Sequence, residues 1–369
     1  MIYLICFVIS AGFAQLANKS QKRDQIIFYS ALSILVTVVL AGLRDYSIGI
    51  DTDNYLRIHR YWVSASTASN LAAHMDTFMK VGYNEPLFGL LIGIAGQWFG
   101  EYRVFLFMVH GIIIICVYIG AYRHRKHANP ALILFLFYLY FYGHSLNISR
   151  QYIAMALLFA VVADLYQGKW KRYLIINIVA IMFHTSAIMG IGPLIIYTLL
   201  YKNKRLYTTT KFRKLLIISA CLFLLVAATS LLEFLMRAGL LADKYVFYLE
   251  NETTSTLMIS LFLLVELMFV YLYNKQMKNE TPLVEYFIIC SVVYFILQQL
   301  SNTLAYGKRI AQYFSCINIV TIAILAKAPK LKTNRQLVSA GIVLLSVFYW
   351  WYAYILRNAS ETYPYILGV

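Results

Sequence analysis

Charge is what this sequence has least of. Only 13% of its 369 residues are charged against 61% that are hydrophobic, and 16 acidic residues face 32 lysines and arginines. A chain so poor in charge cannot clothe a water-soluble domain, and no hydrophilic stretch exceeds about 45 residues, which excludes a separate soluble catalytic domain. Cysteine is scarce and unpatterned. Cys6, Cys116, Cys221, Cys290 and Cys316 all lie inside apolar runs without paired spacing; they read as small buried apolar residues, and nothing argues for a disulfide or a metal site. Internal repeats and low-complexity tracts are also missing. The opening run, 1–17, has no basic leading segment and no small-residue cleavage site, so it is expected to be a retained span and not a signal peptide.

What is present is a long series of apolar runs, at about 1–17, 25–43, 87–99, 103–122, 130–147, 150–167, 173–200, 215–235, 257–273, 284–303, 309–326 and 337–356. Lipid offers backbone groups no hydrogen-bond partners, so such runs must be helices. The pattern predicts an all-α polytopic membrane protein, one integral membrane domain over 1–369, with about 11–13 transmembrane or re-entrant helices and a long outer loop. The net charge of +16 gathers between the runs: Lys19/Lys22/Arg23, Arg123/Arg125/Lys126, Lys169/Lys171/Arg172, Lys202/Lys204/Arg205 with Lys211/Arg213/Lys214, Lys275/Lys278 and Lys327/Lys330/Lys332/Arg335. That distribution is what the positive-inside rule produces, and it accounts for the basic excess without any nucleic-acid partner. Placing every cluster in the cytoplasm puts the N-terminus and the 44–86 loop outside.

Two runs do not fit a simple count. The 87–99 run, with Gly89, Gly93 and Gly96, falls short of the roughly 20 residues a crossing needs, so it is expected to be re-entrant or interfacial. The 173–200 run is flanked by basic clusters at both ends and must enter and return. Its natural break is His184-Thr185-Ser186 through Gly190, Gly192 and Pro193. Non-helical backbone at that depth is tolerated only inside protein or beside a water-filled cavity, so both elements point to a cavity open to the outside. Within the outer loop, 62–79 mixes small, apolar and polar residues as a short surface helix would.

The densest polar cluster before the second half of the chain is Arg44-Asp45-Tyr46-Ser47-Ile48-Gly49-Ile50-Asp51-Thr52-Asp53-Asn54-Tyr55, just where a membrane helix must end. A solvated turn with a Gly49 kink and an aspartate cap would explain it; so would a site that grips sugar or phosphate. Arg44, Arg57, Arg60, Lys80, Arg150, Lys308 and Arg309 are cations on or near the outer face. Arg150, behind Ser149 as a prospective N-cap, and Arg309, behind Gly307-Lys308, each open a descending helix. A helix N-terminus favours an anion, and a guanidinium grips phosphate with two parallel hydrogen bonds, so the pair suggests a diphosphate. Snorkelling to lipid headgroups is the ordinary alternative for each. Glu85, before Pro86, is either a helix-start carboxylate or a site residue. His184 is either a satisfied packing residue or a base at the backbone break. Glu266 needs a buried partner, and Asp164, near Lys169 and Lys171, reads as structural.

Taken in order, Arg44, Gly49, Asp51, Thr52 and Tyr55, then Glu85-Pro86-Leu87-Phe88, then Ser149-Arg150-Gln151 with Ala154, then Phe183-His184-Thr185-Ser186-Ala187, then Arg309, the chain resembles the EpsG-type, Wzy-like bacterial polysaccharide polymerases. The match covers roughly 40–200; Ile50 departs from the Gly-Thr-Asp core common in relatives. The resemblance implies a GT-C-like membrane glycosyltransferase at the outer face of the bacterial cytoplasmic membrane. Such enzymes join oligosaccharide repeat units carried on undecaprenyl diphosphate into O-antigen, capsule or exopolysaccharide. It implies no nucleotide sugar, no cofactor and no metal, and, as companions, a chain-length regulator and a flippase. On that basis Arg44, Arg150 and Arg309 are expected at the diphosphates, with Tyr55, Gln151 and Lys308 lining the substrate. Asp51, Asp53, Glu85 and His184 are the candidates for the base. A flippase for the same lipid-linked glycan would also want cavity arginines, and an O-antigen ligase-like transferase would share the architecture. Inverted repeats, expected of many transporters, are not visible.

Overall fold

A computed structural model describes residues 1–67, 85–202, 210–237, 256–281, 283–304 and 307–368. Among these residues the protein is helical with no strand, and seven helices are long and apolar enough to cross a membrane. It is an all-α polytopic membrane protein. The chain divides into two compact units, residues 1–188 with 339–369, and residues 189–338.

In the first unit α1 (Ile2–Lys19) and α2 (Arg23–Gly42) form an antiparallel pair. Their seam is polar where a membrane offers no alternative partner: the Ser10 hydroxyl donates to the Ser33 carbonyl at 2.7 Å and meets the Tyr138 hydroxyl at 2.8 Å. Next come α3 (Thr52–Thr67), α4 (Pro86–Ile94) and a π-helical turn over Ala95–Phe99. The predicted surface helix at 62–79 begins inside α3, and its remainder lies outside the described residues. α4 and its π turn have nine and five residues, about 21 Å at 1.5 Å per residue and so shorter than the ~30 Å hydrocarbon layer. Gly93 and Gly96 bring it against α3: a Cβ on Gly96 would stand 2.8 Å from Trp62 Cβ.

The 22-residue α5 (Tyr102–Arg123) packs on α2 and on the helix over Ser149–Tyr166. Helix α6 (Pro130–Phe137) starts with proline behind an Asn129 cap, whose side chain accepts from Ala131 N–H at 3.0 Å. A π turn (Tyr138–Tyr142) and α7 (Gly143–Asn147) lead to a one-residue break at Ile148 and then α8 (Ser149–Tyr166). Because the break is so short, Ser149 does not cap α8 as expected: its hydroxyl turns back to the Ser145 carbonyl at 3.0 Å. Helix α8 stops at Gly168, whose φ of +77° supplies the left-handed turn into α9 (Trp170–Phe183). Asp164, fully buried, is held by Arg123 and by Arg172 at 3.5 Å, which pins together the end of α5, the end of α8 and the start of α9. The aspartate is structural, with arginines as partners instead of the nearby lysines. Helix α9 ends at His184 in extended conformation, and a 3₁₀ stretch, Thr185–Gly190, follows where the break was expected.

The second unit contains α10 (Ile191–Tyr197), α11 (Thr210–Arg237), α12 (Leu257–Glu280), α13 (Val284–Gln298) and α14 (Lys308–Leu325), then the start of α15 (Lys332–Trp350). Helices α13 and α14 form its tightest pair, bridged by the Ser291 and Thr321 hydroxyls at 2.8 Å. Glu266 of α12 accepts from the Asn318 side chain of α14 at 3.2 Å, so the buried carboxylate has a neutral amide among its partners.

Candidate functional site

Four stretches of the first unit converge beside α4. The loop after α2 is built first. The Asp45 carboxylate accepts from Ser47 N–H at 2.9 Å and from its hydroxyl at 2.6 Å, which makes an Asx turn and holds the Asp45 carboxyl below its usual range. Gly49 then adopts φ +95°, a conformation costly to residues with a Cβ, and packs where a Cβ would lie 3.1 Å from the Leu146 carbonyl. Thr52 starts α3 with its hydroxyl on the Ile48 carbonyl at 2.7 Å. The loop is thereby pressed against the junction of α7 and α8, and Asp51 N–H donates to Asn147 Oδ1 at 2.6 Å.

At the centre is Glu85, the residue preceding α4. Its carboxylate does not cap the helix. One oxygen accepts from Arg150 Nη1 at 2.7 Å; the other meets His184 Nδ1 at 2.6 Å and accepts weakly from Thr185 N–H at 3.4 Å. A carboxylate has two acceptor oxygens, and here each serves a different element, α8 and the end of α9. The packing of α9 against α4 makes this possible. The Glu85, His184 and Arg150 side chains are 8%, 15% and 41% exposed, so the acid is enclosed while the guanidinium reaches the surface of the unit. Burial alone would raise the Glu85 pKa; the hydrogen bonds and charges of His184 and Arg150 outweigh it and hold the carboxyl below its ordinary 4.5.

Arg150 rests on an aromatic shelf. Its guanidinium carbon lies 5.6 Å from the ring centres of both Tyr55 and Phe88, within cation–π range. Those rings are 5.4 Å apart and Phe105 of α5 backs Phe88 at 5.7 Å, so the shelf is fixed by core packing. Gln151, next in α8, is buried.

The remaining candidates are placed differently. Arg44 is completely buried, donating to the Ala41 carbonyl at 2.9 Å and the Leu146 carbonyl at 3.0 Å, and burial lowers its pKa. It ties the end of α2 to the end of α7 instead of facing a ligand. The Asp53 side chain is 82% exposed and pairs at 3.8 Å with Arg57 one turn on. Lys308 and Arg309 open α14 in the second unit, both half-buried, with Lys308 N–H on the Ser301 hydroxyl at 2.8 Å. Asn147, which the sequence reading passed over, is the link between Asp51 and the start of α8. Its only signal there was its place three residues before Arg150. Among the described residues no group of three His, Cys, Asp or Glu side chains gathers as a metal site would require.

Comparison with curated proteins and with solved structures returns no significant match. The profile of the EpsG family matches residues 27–367, nearly the whole chain and every candidate residue named above. The chain belongs to the EpsG family, a Wzy-like family of polysaccharide polymerases.

Proposed function

We propose that the protein joins undecaprenyl-diphosphate-linked oligosaccharide repeat units at the outer face of the bacterial cytoplasmic membrane. The observation that supports this reading best is the Glu85 carboxylate shared between Arg150 and His184. Glycosyl transfer off a lipid diphosphate needs a cation for the departing anion and a base for the incoming hydroxyl, and this cluster offers both side by side.

In the proposed step an acceptor sugar hydroxyl attacks the anomeric carbon of the donor. The new glycosidic C–O bond forms as the C–O bond to the diphosphate breaks, and the bonding pair leaves with undecaprenyl diphosphate. With Nδ1 turned to Glu85, the second ring nitrogen of His184, Nε2, takes the hydroxyl proton and passes it to water. Glu85 selects that tautomer and steadies the imidazolium that forms. Arg150 bonds to Glu85 and to the Tyr55 hydroxyl and offers its remaining N–H groups to phosphate oxygens. Tyr55 and Phe88 hold it in place. Arg309 is assigned to a diphosphate, and Asp51, Gln151 and Lys308 to orienting sugar or phosphate groups. Arg44 is the support beneath the loop.

The test is the length of polymer made by cells carrying single replacements. Arg150→Ala, Arg309→Ala and His184→Ala should each leave single repeat units on the outer-leaflet carrier without long chains. Normal chain length in Arg150→Ala and His184→Ala ends this assignment; accumulation of lipid-linked units in the inner leaflet makes the protein a flippase.

A further inference from the structure

Residues 358–368 run back across the first unit and bond to the loop that carries Asp51. Asp45 N–H donates to the Ile366 carbonyl at 2.9 Å, Gly49 N–H to the Glu361 carbonyl at 3.1 Å, and Gly368 N–H to the Leu43 carbonyl at 2.9 Å. Arg44 and Leu367 sit opposite each other as an antiparallel bridge. Side chains then fasten the segment from both sides: the Tyr3 hydroxyl donates to the Thr362 carbonyl at 2.8 Å and Arg103 Nη1 to the Gly368 carbonyl at 3.1 Å, while the segment's own Tyr365 hydroxyl donates to the Leu40 carbonyl at 3.0 Å. His144 of α7 meets the Ser360 hydroxyl at 2.8 Å. The Ile366 and Leu367 side chains, by contrast, are exposed. Loop amides at Asp45 and Gly49 would otherwise lack protein partners, and unsatisfied amides let a loop wander.

From this loop two connections lead to Arg150. Arg44 Nη2 holds the Leu146 carbonyl, and Asp51 N–H holds the Asn147 side chain, both at the last turn before Ile148 and α8. The family match runs to residue 367 and so includes nearly all of the segment.

We infer that segment 358–368 is a positioning strap for the diphosphate-binding arginine: it fixes the Arg44–Asp51 loop, which in turn fixes the α7–α8 junction from which Arg150 projects. The inference rests on the function proposed above. The strap touches no substrate. It acts through main-chain bonds, so backbone geometry matters more than the identity of its exposed side chains.

Gly368 is the sensitive point, because a Cβ there would lie 2.9 Å from both the Arg44 carbonyl oxygen and Arg103 Nη2, and the carbonyl is backbone that cannot swing aside. The full-length protein, purified and supplied with a lipid-diphosphate-linked repeat unit, is compared with Gly368→Ala, Leu367→Ala and a chain lacking 359–369. Gly368→Ala should raise the KM for the lipid-diphosphate unit about fivefold or more, with a smaller change in kcat and a melting temperature close to wild type. Leu367→Ala should behave as wild type, and the shortened chain, where it folds, should exceed Gly368→Ala in its effect. An unaltered KM in Gly368→Ala, or a loss of activity that only tracks loss of folded protein, overturns the strap. Arg150→Ala, run in parallel, reports on the site itself. Its normal polymer would remove the assignment of Arg150 and the strap with it, whereas its loss of polymer beside an unaltered Gly368→Ala removes only the strap.

Discussion

Replacing Glu85 by glutamine tests the cluster most directly, because the change keeps the shape and removes one acceptor. Both neighbours are donors in the proposed state: Arg150 Nη1 at 2.7 Å and His184 Nδ1–H at 2.6 Å, one to each carboxylate oxygen. An amide has one acceptor oxygen and an NH₂, so one of the two donors must face another donor. A hydrogen bond to a charged group contributes about 1.5–3 kcal/mol. The enclosed contact to His184 belongs in that range. The Arg150 contact belongs below it, since its side chain is 41% exposed and water takes over much of the lost interaction. A net loss of about 2–3 kcal/mol in holding the pair corresponds to a drop of roughly 30- to 150-fold in the fraction with both groups in place, at 1.36 kcal/mol per decade. Glu85→Gln should therefore accumulate as folded protein while joining repeat units roughly 30- to 150-fold more slowly. The assay is the ladder of chain lengths in cells without a wild-type copy, together with the initial joining rate of the purified enzyme. A wild-type ladder and rate from Glu85→Gln would refute the idea that the carboxylate organises the site.

Three further outcomes follow from the same geometry. A carboxyl held below its ordinary 4.5 stabilises the fold fully above that pH and loses its contribution as pH falls through the lower folded value. Thermal stability should therefore be level from neutral pH to about 4.5 as far as Glu85 is concerned and decline below it, with that part of the decline missing from Glu85→Gln. Gly49→Ala meets both a φ of +95° and a Cβ contact of 3.0 Å to Thr52 Oγ1, and should lower stability by about 1–3 kcal/mol, read as a reduced melting temperature and a shortened ladder. Asp53→Ala removes only a solvent-exposed pair at 3.8 Å and should leave both stability and chain length at wild-type values, which an inactive Asp53→Ala would contradict.

The helices were legible in the sequence because lipid leaves the backbone so few options. The apolar runs at 103–122 and 150–167 became Tyr102–Arg123 and Ser149–Tyr166 almost residue for residue. A helix ends at His184, where charge at both ends of one apolar run led a break to be expected. What could not be read was the direction in which a side chain points from the end of a helix. Arg44 closes α2 as Arg150 opens α8, and the two looked alike as cations near the outer face. Three-dimensional packing buries one completely against the Leu146 carbonyl and leaves the other partly exposed on a shelf of Tyr55 and Phe88. The strap was equally silent, since its bonds to the loop are made by main-chain groups that every sequence possesses.

Glu85, Arg150 and His184 were each singled out one at a time, and they fell into two groups, bases and phosphate ligands. Their contact spans 65 and 99 residues of chain, far beyond any spacing rule, and it changes the chemistry assigned to each. A carboxylate that already receives a guanidinium and an imidazole, and whose pKa is depressed by them, is a weak proton acceptor at neutral pH. It is well suited to orienting its neighbours. Asp53, in the first turn of α3, stands open to solvent away from this cluster. His184 has a fixed orientation and a second ring nitrogen turned away from Glu85, which is why it is proposed as the base. The arginine proposed to steady the departing diphosphate is tethered to the same carboxylate, so the proposed base and anion holder are positioned together.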